Sequence, residues 1–213
     1  MKIKILAAGS QTVKECSLEQ FCSLTGVQYV DHIFFFSEKI SRKVHERCQR
    51  SLKTGKIDLK QKWLGAYYSK EIMSGYEPDL LIAWIDNELG YGVFAEHDIL
   101  ARAYVGKYTG MIRRRNFWKD RTNNYCFDYA IGGVRSSPYV IDAQKWGNIA
   151  RFINHSDDPN LETGAVYCHG IMHVILYALR PIAKGEQLCY DYGERYWSRR
   201  DDLIPNMVRP PSK

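Results

Sequence analysis

The segment Arg-Phe-Ile-Asn-His-Ser-Asp-Asp-Pro-Asn, at positions 151–160, combines side chains that can hold a polar ligand. An apolar stretch ends in Asn154 and His155, and turn-forming residues follow directly. Burying an Asn-His pair without hydrogen-bond partners would be costly. The segment is therefore a loop, a metal site or a surface that grips a ligand. His155 has no His or Cys nearby at metal-ligand spacing, so a histidine fixed by hydrogen bonds is favoured and no metal is predicted.

Tyrosines recur at alternate positions of two strand-like segments. In residues 186–197, the period of two places Tyr190 and Tyr192 on one face and Asp191 on the other. The same spacing relates Tyr125, Phe127 and Tyr129. With Tyr108 nearby, these strands are either half-buried sheet surfaces or the walls of a narrow aromatic slot that keeps carboxylates outside.

A glycine pattern precedes these segments. Residues 89–95, Leu-Gly-Tyr-Gly-Val-Phe-Ala, contain Gly90-x-Gly92-x-x-Ala95, which matches a dinucleotide-binding fingerprint. That motif also needs an acidic residue about 20 positions later and a following helix. After Asp98 the next acid is Asp120, and no helical stripe follows, so a dinucleotide site is not predicted. The glycines still indicate a backbone that approaches a turn partner or a ligand closely.

The composition indicates an ordinary globular protein. The chain has 213 residues, enough for one domain or one domain with a small flanking module. Its six cysteines include no C-x-x-C pair, which favours free thiols in a reducing compartment, cytoplasm or nucleus. The apolar run in the first eleven residues is too short for a signal peptide, and no run of 18 apolar residues predicts a membrane span.

The net charge of +6 is concentrated in one segment. Residues 39–62 hold nine lysines and arginines against Glu46 and Asp58, a local net charge of +7. From Ser37, apolar residues recur every four positions at Ile40, Val44, Cys48 and Leu52, which predicts an amphipathic helix with its basic face outward. That face is either simply solvated or contacts nucleic acid or an acidic protein surface.

The remaining pattern predicts a mostly β, α+β fold with a helical N-terminal flank. Ser17 and Gln20 form a capping box for a helix that ends at Gly26. After Pro78, short apolar or alternating runs are separated by turn residues, as in a domain of many short strands. A short helix is predicted after the cap Asp142, through Trp146 to Ile153.

Taken together, five blocks resemble the SET-domain protein lysine methyltransferases. In the family's order they are GYGVFA, YVGKYTG, YCFDYAI, YVIDAQKWGNIARFINHSDDPN and GEQLCYDYGERYW. The resemblance runs from about Ile82 to Trp197. It implies a SET fold of several small sheets with a C-terminal pseudoknot. It also implies a flanking region at 1–78, a catalytic domain at 79–197 and a tail at 198–213.

The resemblance implies S-adenosylmethionine as the cofactor and assigns roles to individual residues. Those implied to bind the cofactor are Gly90, Tyr91, Gly92, Tyr125, Arg151, Asn154, His155 and Tyr196. Tyr108 and Tyr190 match positions that line the lysine channel, and Tyr192 matches the tyrosine at the transferring methyl group.

An aromatic slot suits this chemistry. Methyl transfer by an SN2 step needs a neutral amine aligned with the sulfonium carbon. Bringing a lysine pKa from its ordinary value to 7 takes roughly 3.4 units, or about 4.6 kcal/mol. Burial in an apolar slot can do this, whereas an adjacent carboxylate would oppose it. We therefore expect Asp191 to point away from the slot.

The sequence departs from the family in several ways. Many members carry cysteine-rich zinc clusters before and after the domain, and neither is present here. The tail is expected to close the site without zinc, through Tyr196, Trp197 and Leu203-Ile204. Lys107 stands where the family often has Glu. Compact members without zinc are known in some intracellular bacteria and among a few monomethylating eukaryotic enzymes, and the Tyr at position 190 indicates mainly monomethylation.

The function expected from the resemblance is methylation of lysine-rich tails of histones or histone-like proteins. Residues 39–62 would then contact the DNA or an acidic patch that accompanies the substrate. Two alternatives remain open at this point. One is a catalytically silent SET module that acts as a scaffold, and the other is a protein dominated by an N-terminal nucleic-acid-binding module. Export into the nucleus of a host cell is a further expectation if the source is an intracellular bacterium.

Overall fold

The computed structural model describes residues 2–132 and 137–198, in which strand residues outnumber helical ones. The α-helices are α1 (Leu18–Thr25), α2 (Glu38–Lys53), α3 (Leu59–Tyr67), α4 (Ser69–Ser74), α5 (Phe117–Thr122) and α6 (Glu194–Ser198). The strands up to residue 114 are β1 (Ile3–Leu6), β2 (Lys14–Cys16), β3 (Gln28–Tyr29), β4 (Ile33–Phe35), β5 (Leu80–Asp86), β6 (Gly90–Ala95), β7 (Tyr104–Lys107) and β8 (Gly110–Arg114). The later strands are β9 (Cys126–Asp128), β10 (Tyr139–Asp142), β11 (Trp146–Gly147), β12 (Asn154–His155), β13 (Leu161–Cys168), β14 (Ile171–Ala178) and β15 (Gln187–Tyr190).

The strands form one large sheet and two small ones. The large sheet has the order β2-β1-β5-β6-β15-β13-β14-β7, and β12 pairs with β15 off this path. The small sheets are β4-β8-β10-β9 and β3-β11. The predicted α+β, mostly β fold with several sheets is confirmed. Because β1 pairs in parallel with β5, the N-terminal segment shares a sheet with the predicted catalytic domain.

The N-terminal helices α1 and α2 begin directly after Ser17 and Ser37, where the sequence pattern predicts helices. Ser17 and Gln20 form the predicted capping box of α1, and Gly26 ends that helix with a positive φ. Ser37 caps α2, whose Val44 and Cys48 are fully buried. Leu52 is 38% exposed, and Ser51 is buried in its place. A spacing of four drifts by about 40° per step around a helix, so a residue seven positions after Val44 faces the core better than one eight positions after it.

The predicted helix from Asp142 to Ile153 is wrong. Residues 146–147 form β11, which pairs in parallel with β3, and only Ile149–Phe152 form a turn of 3₁₀ helix. Asp142 does not cap an α-helix, because its carboxylate accepts from the Gln144 backbone N–H at 3.0 Å and from Arg113 at 2.7 Å. This local turn ends β10 and leaves the chain extended enough to reach β3.

The strand predicted through residue 192 ends earlier. β15 stops at Tyr190, and the Asp191 side chain accepts from the Gly193 N–H at 2.7 Å to form a turn before α6. Gly193 has a φ of +80°, a conformation that glycine adopts without strain. Tyr192 therefore lies on the connection between a strand and a helix.

A single hydrophobic cluster joins α1 and α2 to the strands of the large sheet, and a second cluster holds α3 and α4 against β7, β13 and β14. Gly65 in α3 makes the second contact possible, since an added Cβ would lie 2.0 Å from the Tyr167 carbonyl oxygen. All six cysteines are described and all are free. Within residues 2–132 and 137–198, no helix is both long and apolar enough to cross a membrane.

Candidate active site

The segment 154–160 lies along β15 and is fixed to it by main-chain and side-chain hydrogen bonds. β12 pairs in parallel with β15, with Asn154 opposite Cys189 and His155 opposite Tyr190. The Asn160 amide then accepts from the Cys189 N–H at 2.9 Å and donates to the Gln187 carbonyl at 2.8 Å. The earlier segment and the later strand are thus held as one unit, and the buried Asn160 amide has its hydrogen-bond partners.

Asn154 connects this unit to the glycine turn at the start of β6. Its Nδ2 donates to the Tyr91 carbonyl oxygen at 3.2 Å. An added Cβ on Gly92 would lie 2.6 Å from Ile85 Cδ1, 2.9 Å from Gln187 Nε2 and 3.3 Å from Asn154 Nδ2. A larger residue here would displace the ends of the Ile85 and Gln187 side chains. Residues 90–95 form a strand and not a strand-to-helix turn, which agrees with the rejection of a dinucleotide site.

His155 is held in one tautomer by its neighbours. Its Nδ1 accepts from the Tyr192 backbone N–H at 3.2 Å, so the proton of the neutral ring is on Nε2, which donates to Asp157 Oδ1 at 3.1 Å. The ring also packs edge-on against Trp197, with 4.9 Å between centroids. Among the described residues, no group of three His, Cys, Asp or Glu side chains could hold a metal ion.

Five aromatic residues form a continuous path from the core to α6. Centroid distances are 5.2 Å from Tyr108 to Phe127 and 6.3 Å from Phe127 to Tyr190. They are 4.8 Å from Tyr190 to Tyr192 and 4.6 Å from Tyr192 to Tyr196. These rings line a groove of about 460 Å³ whose other wall is β13 at residues 163–165.

The phenol groups in this groove are neutral hydrogen-bond donors. Tyr192 donates to the Ile153 carbonyl at 2.9 Å, and Tyr108 donates to the Tyr125 carbonyl at 3.0 Å. Burial raises the pKa of Tyr108, Tyr190 and Tyr192 well above the ordinary value of a phenol. None of the three is therefore a phenolate base at neutral pH.

Arg151 lies behind the groove. Its side chain is buried and its Nε donates to the Ala143 carbonyl at 2.8 Å. The guanidinium carbon lies 3.7 Å from the centroid of the Tyr125 ring and 4.6 Å from that of Phe152. Arg151 thus fixes Tyr125, whose carbonyl holds the Tyr108 hydroxyl. That Arg151 and Tyr125 also contact a cofactor stays a prediction.

The charges around the groove differ from the expectation. Asp191 points away as expected, with its side chain 63% exposed. The slot does not exclude every carboxylate, because Asp128 and Glu194 line the groove. Asp128 forms ion pairs with Arg115 at 2.7 Å and Arg195 at 3.8 Å, which offset its charge. Both acids were missed. Strand alternation says nothing about Glu194, which begins α6, and it assigns Asp128 of β9 to the face opposite Phe127.

Tyr129 and Lys107 do not line the aromatic groove. Tyr129, predicted to share the slot, is fully buried in the core and donates to the Met172 carbonyl at 2.7 Å. Lys107, which stands where the family often has Glu, is buried and donates to the Ile72 carbonyl in α4. Leu203 and Ile204, predicted to close the site, lie outside the described residues.

Known proteins contain domains similar to the one that carries this site. The SET domain family model matches residues 90–193. Su(var)3-9 histone-lysine N-methyltransferase of Drosophila melanogaster is 33% identical over 132 residues, which cover 57% of this chain and 21% of that protein. An H3 lysine-4 specific histone-lysine N-methyltransferase of Aspergillus fumigatus is 38% identical over 123 residues, covering 54% of this chain and 10% of that protein.

Solved structures agree on the fold. A polycomb repressive complex 2 in the stimulated state matches with a TM-score of 0.50 at 25% identity, over 58% of this chain and 16% of that chain. Another, autoinhibited and bound to S-adenosylmethionine, matches with a TM-score of 0.52 at 23% identity, over 63% of this chain and 17% of that chain.

The sheets, the glycine turn and the segment along β15 define a SET fold. Residues 90–193 match the SET domain family model, and histone-lysine N-methyltransferases are among the proteins similar to this chain. It spans only 21% and 10% of the two relatives described above.

Proposed function

We propose that this protein is an S-adenosylmethionine-dependent protein lysine N-methyltransferase. The observation that carries the proposal is the junction at β15. There the Asn154–His155 segment, tied to the glycine turn at Tyr91, meets Tyr190 and Tyr192 at the end of an aromatic groove. A site for a small polar cofactor and a site for a long apolar side chain thus share one wall.

The residues around Asn154 suit S-adenosylmethionine. The turn at 90–92 offers backbone groups, and Gly90, with a φ of +72°, has open space where a side chain would project. Tyr196 and Trp197, 5.1 Å apart, offer aromatic faces of the kind that attract a sulfonium cation. When bound, the cofactor supplies an electrophilic methyl group. Asn154, His155 and Tyr196 would hold it, with Gly90–Gly92 contributing backbone contacts.

The groove suits a lysine side chain. Its aromatic walls would favour the neutral amine over the ammonium form, because burial penalises charge. The buried phenols hold their own protons, so the amine must lose its proton before it reacts and cannot pass it to Tyr192. The role of Tyr192 is to place a neutral hydroxyl, fixed by Ile153, at the end of the groove.

Tyr190 supports a preference for monomethylation. It is 6% exposed and packs 4.8 Å from Tyr192, so its hydroxyl occupies space that a second methyl group on the amine would need. The hydroxyl can also hold a water or the amine itself. The product of the wild-type protein would then be mainly monomethyl-lysine.

Histone or histone-like tails are the proposed substrate class, supported by the names of the relatives. The described basic residues of α2 are exposed, and their face would contact DNA or an acidic protein patch beside the substrate. A chromatin context, in the nucleus of its own or of a host cell, follows from this substrate class.

Mass spectrometry of lysine-rich proteins incubated with the protein and S-adenosylmethionine tests the proposal. We expect monomethyl-lysine on histones and none on matched samples lacking the cofactor. Cofactor binding without methylation of any lysine-rich protein would instead favour a catalytically silent scaffold.

A further inference from the structure

Helix α3 has an apolar face that the described chain leaves open. Its inner face, at Leu64 and Gly65, packs on β13. Its outer face presents Leu59, Trp63 and Tyr67 at positions i, i+4 and i+8, with exposures of 79%, 61% and 61%. A stripe with this spacing ordinarily faces a core or a partner.

The exposed rings of Trp63 and Tyr67 are stacked on each other. The rings of Trp63 and Tyr67 are 5.0 Å apart and only 13° from parallel, and the Tyr68 ring meets Tyr67 edge-on at 4.8 Å. Since Tyr68 is buried and its hydroxyl donates to the Arg102 carbonyl at 2.6 Å, the pair rests on a fixed support. We name Trp63 and Tyr67 the aromatic platform.

Positive charge surrounds the aromatic platform. A groove of about 330 Å³ beside it is lined in part by Lys60, Arg102, Glu162 and Tyr177. Lys60 forms an exposed ion pair with Glu162 at 3.2 Å, a contact of low energy that a stronger ligand can replace. The α3 stripe begins within the basic segment 39–62, so its partner is expected to be anionic.

An anionic ligand with flat aromatic rings fits the aromatic platform better than an acidic helix does. An amphipathic helix would need aliphatic pockets, whereas the platform offers two parallel π faces next to cations. Unpaired bases stack on such faces and their phosphates follow the cations, while the bases of a duplex are already stacked on one another.

We propose that α3 binds single-stranded nucleic acid, with a base stacked on the Trp63–Tyr67 platform and phosphates near Lys60 and Arg102. The site is separate from the aromatic groove of the methyltransferase, but the two share β13. Glu162 lies at the aromatic platform, and the next three residues, 163–165, line the aromatic groove. The proposal does not depend on methyl transfer.

Fluorescence anisotropy with the full chain tests it, using oligo-dT, oligo-U and a duplex of equal length at low salt. We expect the single strands to bind more tightly than the duplex. The Trp63→Ala/Tyr67→Ala variant should lose at least about tenfold in affinity for them. Met73→Ala, at an exposed apolar residue of α4, is the matched control and should bind normally.

A second variant separates stacking from general charge. Lys60→Gln/Arg102→Gln should weaken binding and reduce its dependence on salt, while the platform variant should keep the salt dependence. Circular dichroism checks that each variant folds. Equal affinity of the platform variant and wild type, or equal loss on duplex and single strands, would overturn the proposal, as would failure of wild type to bind any oligonucleotide.

Discussion

The hydroxyl of Tyr192 donates a hydrogen bond to the carbonyl oxygen of Ile153 across 2.9 Å. Ile153 directly precedes β12, so this bond joins the end of the aromatic groove to the segment that carries Asn154 and His155. The backbone N–H of Tyr192 is fixed as well, since it donates to His155 Nδ1 at 3.2 Å. Tyr192 is thus positioned by the chain segment 153–155, which includes Asn154 and His155, two residues proposed to hold the cofactor.

Replacing Asn154 by Ala should weaken cofactor binding. The change removes the hydrogen bond to the Tyr91 carbonyl and frees the turn at Gly90–Gly92 from β12. One such bond contributes about 0.5–1.5 kcal/mol, so the Kd should rise roughly 2- to 12-fold in calorimetry with S-adenosylhomocysteine. Asn87→Ala, in the exposed turn just before β6, is the control, and an equal effect of both variants would refute the role of Asn154.

Tyr190→Phe should shift the product from monomethyl- toward di- and trimethyl-lysine. Loss of the hydroxyl leaves space and removes a hydrogen-bonding group beside Tyr192, while the ring keeps its packing against Phe127. Mass spectrometry of the products at equal turnover measures the change. Abundant trimethyl-lysine from the wild-type protein would contradict the proposed product preference.

Neutralising Lys43, Arg47 and Arg50 to Gln should weaken binding to DNA-bound substrate by about tenfold or more at low salt. All three side chains are exposed on α2, away from the aromatic groove. Affinity for the free peptide should stay unchanged. The same loss on both substrates would show that α2 does not contact DNA.

Glu77 should make stability depend on pH. Burial raises its pKa to about 7, although Tyr29 and Asn148 donate hydrogen bonds to it at 3.2 Å and 2.7 Å. Because the pKa is higher in the folded than in the unfolded state, the carboxyl binds more protons when folded, and its contribution to stability falls as pH rises from about 4.5 to 7.

Glu77→Gln should remove this dependence, since its amide oxygen can still accept from Asn148 while its NH2 group donates to the hydroxyl oxygen of Tyr29. Its stability relative to wild type should increase between pH 5 and 8 by roughly 1–3 kcal/mol, measured by urea unfolding. Exposed Glu88→Gln is the control. A difference between Glu77→Gln and wild type that does not change with pH would contradict the raised pKa.

The features that were predicted correctly from the sequence are those that depend on local sequence patterns. The cap at Ser17, the amphipathic helix that follows Ser37, the strand runs and the glycine turn are read from neighbouring residues, and they appear as expected. The resemblance implied a C-terminal pseudoknot, whereas the pairing of 154–155 with 189–190 came from the structure and is contained in no local pattern.

The sequence-based predictions failed where contacts between residues far apart in the chain determine the structure. Asp142 was predicted to begin a helix, but its partner Arg113 lies 29 positions away and holds it in a turn. Tyr129 alternates correctly with Phe127 yet belongs to the core, because its hydroxyl finds the Met172 carbonyl across the fold. Lys107 is buried against α4, a contact that strand alternation cannot reveal.

Transfer of a labelled methyl group from S-adenosylmethionine to histone lysines, by wild type and Tyr192→Phe, tests the central claim most directly. We predict labelled lysine with wild type and a loss of about 100-fold or more in kcat for the variant, with an unchanged cofactor Kd, because only the hydroxyl held by Ile153 is removed. Labelling by the variant at the wild-type rate, or no labelling by a wild-type protein that binds the cofactor, would contradict the account.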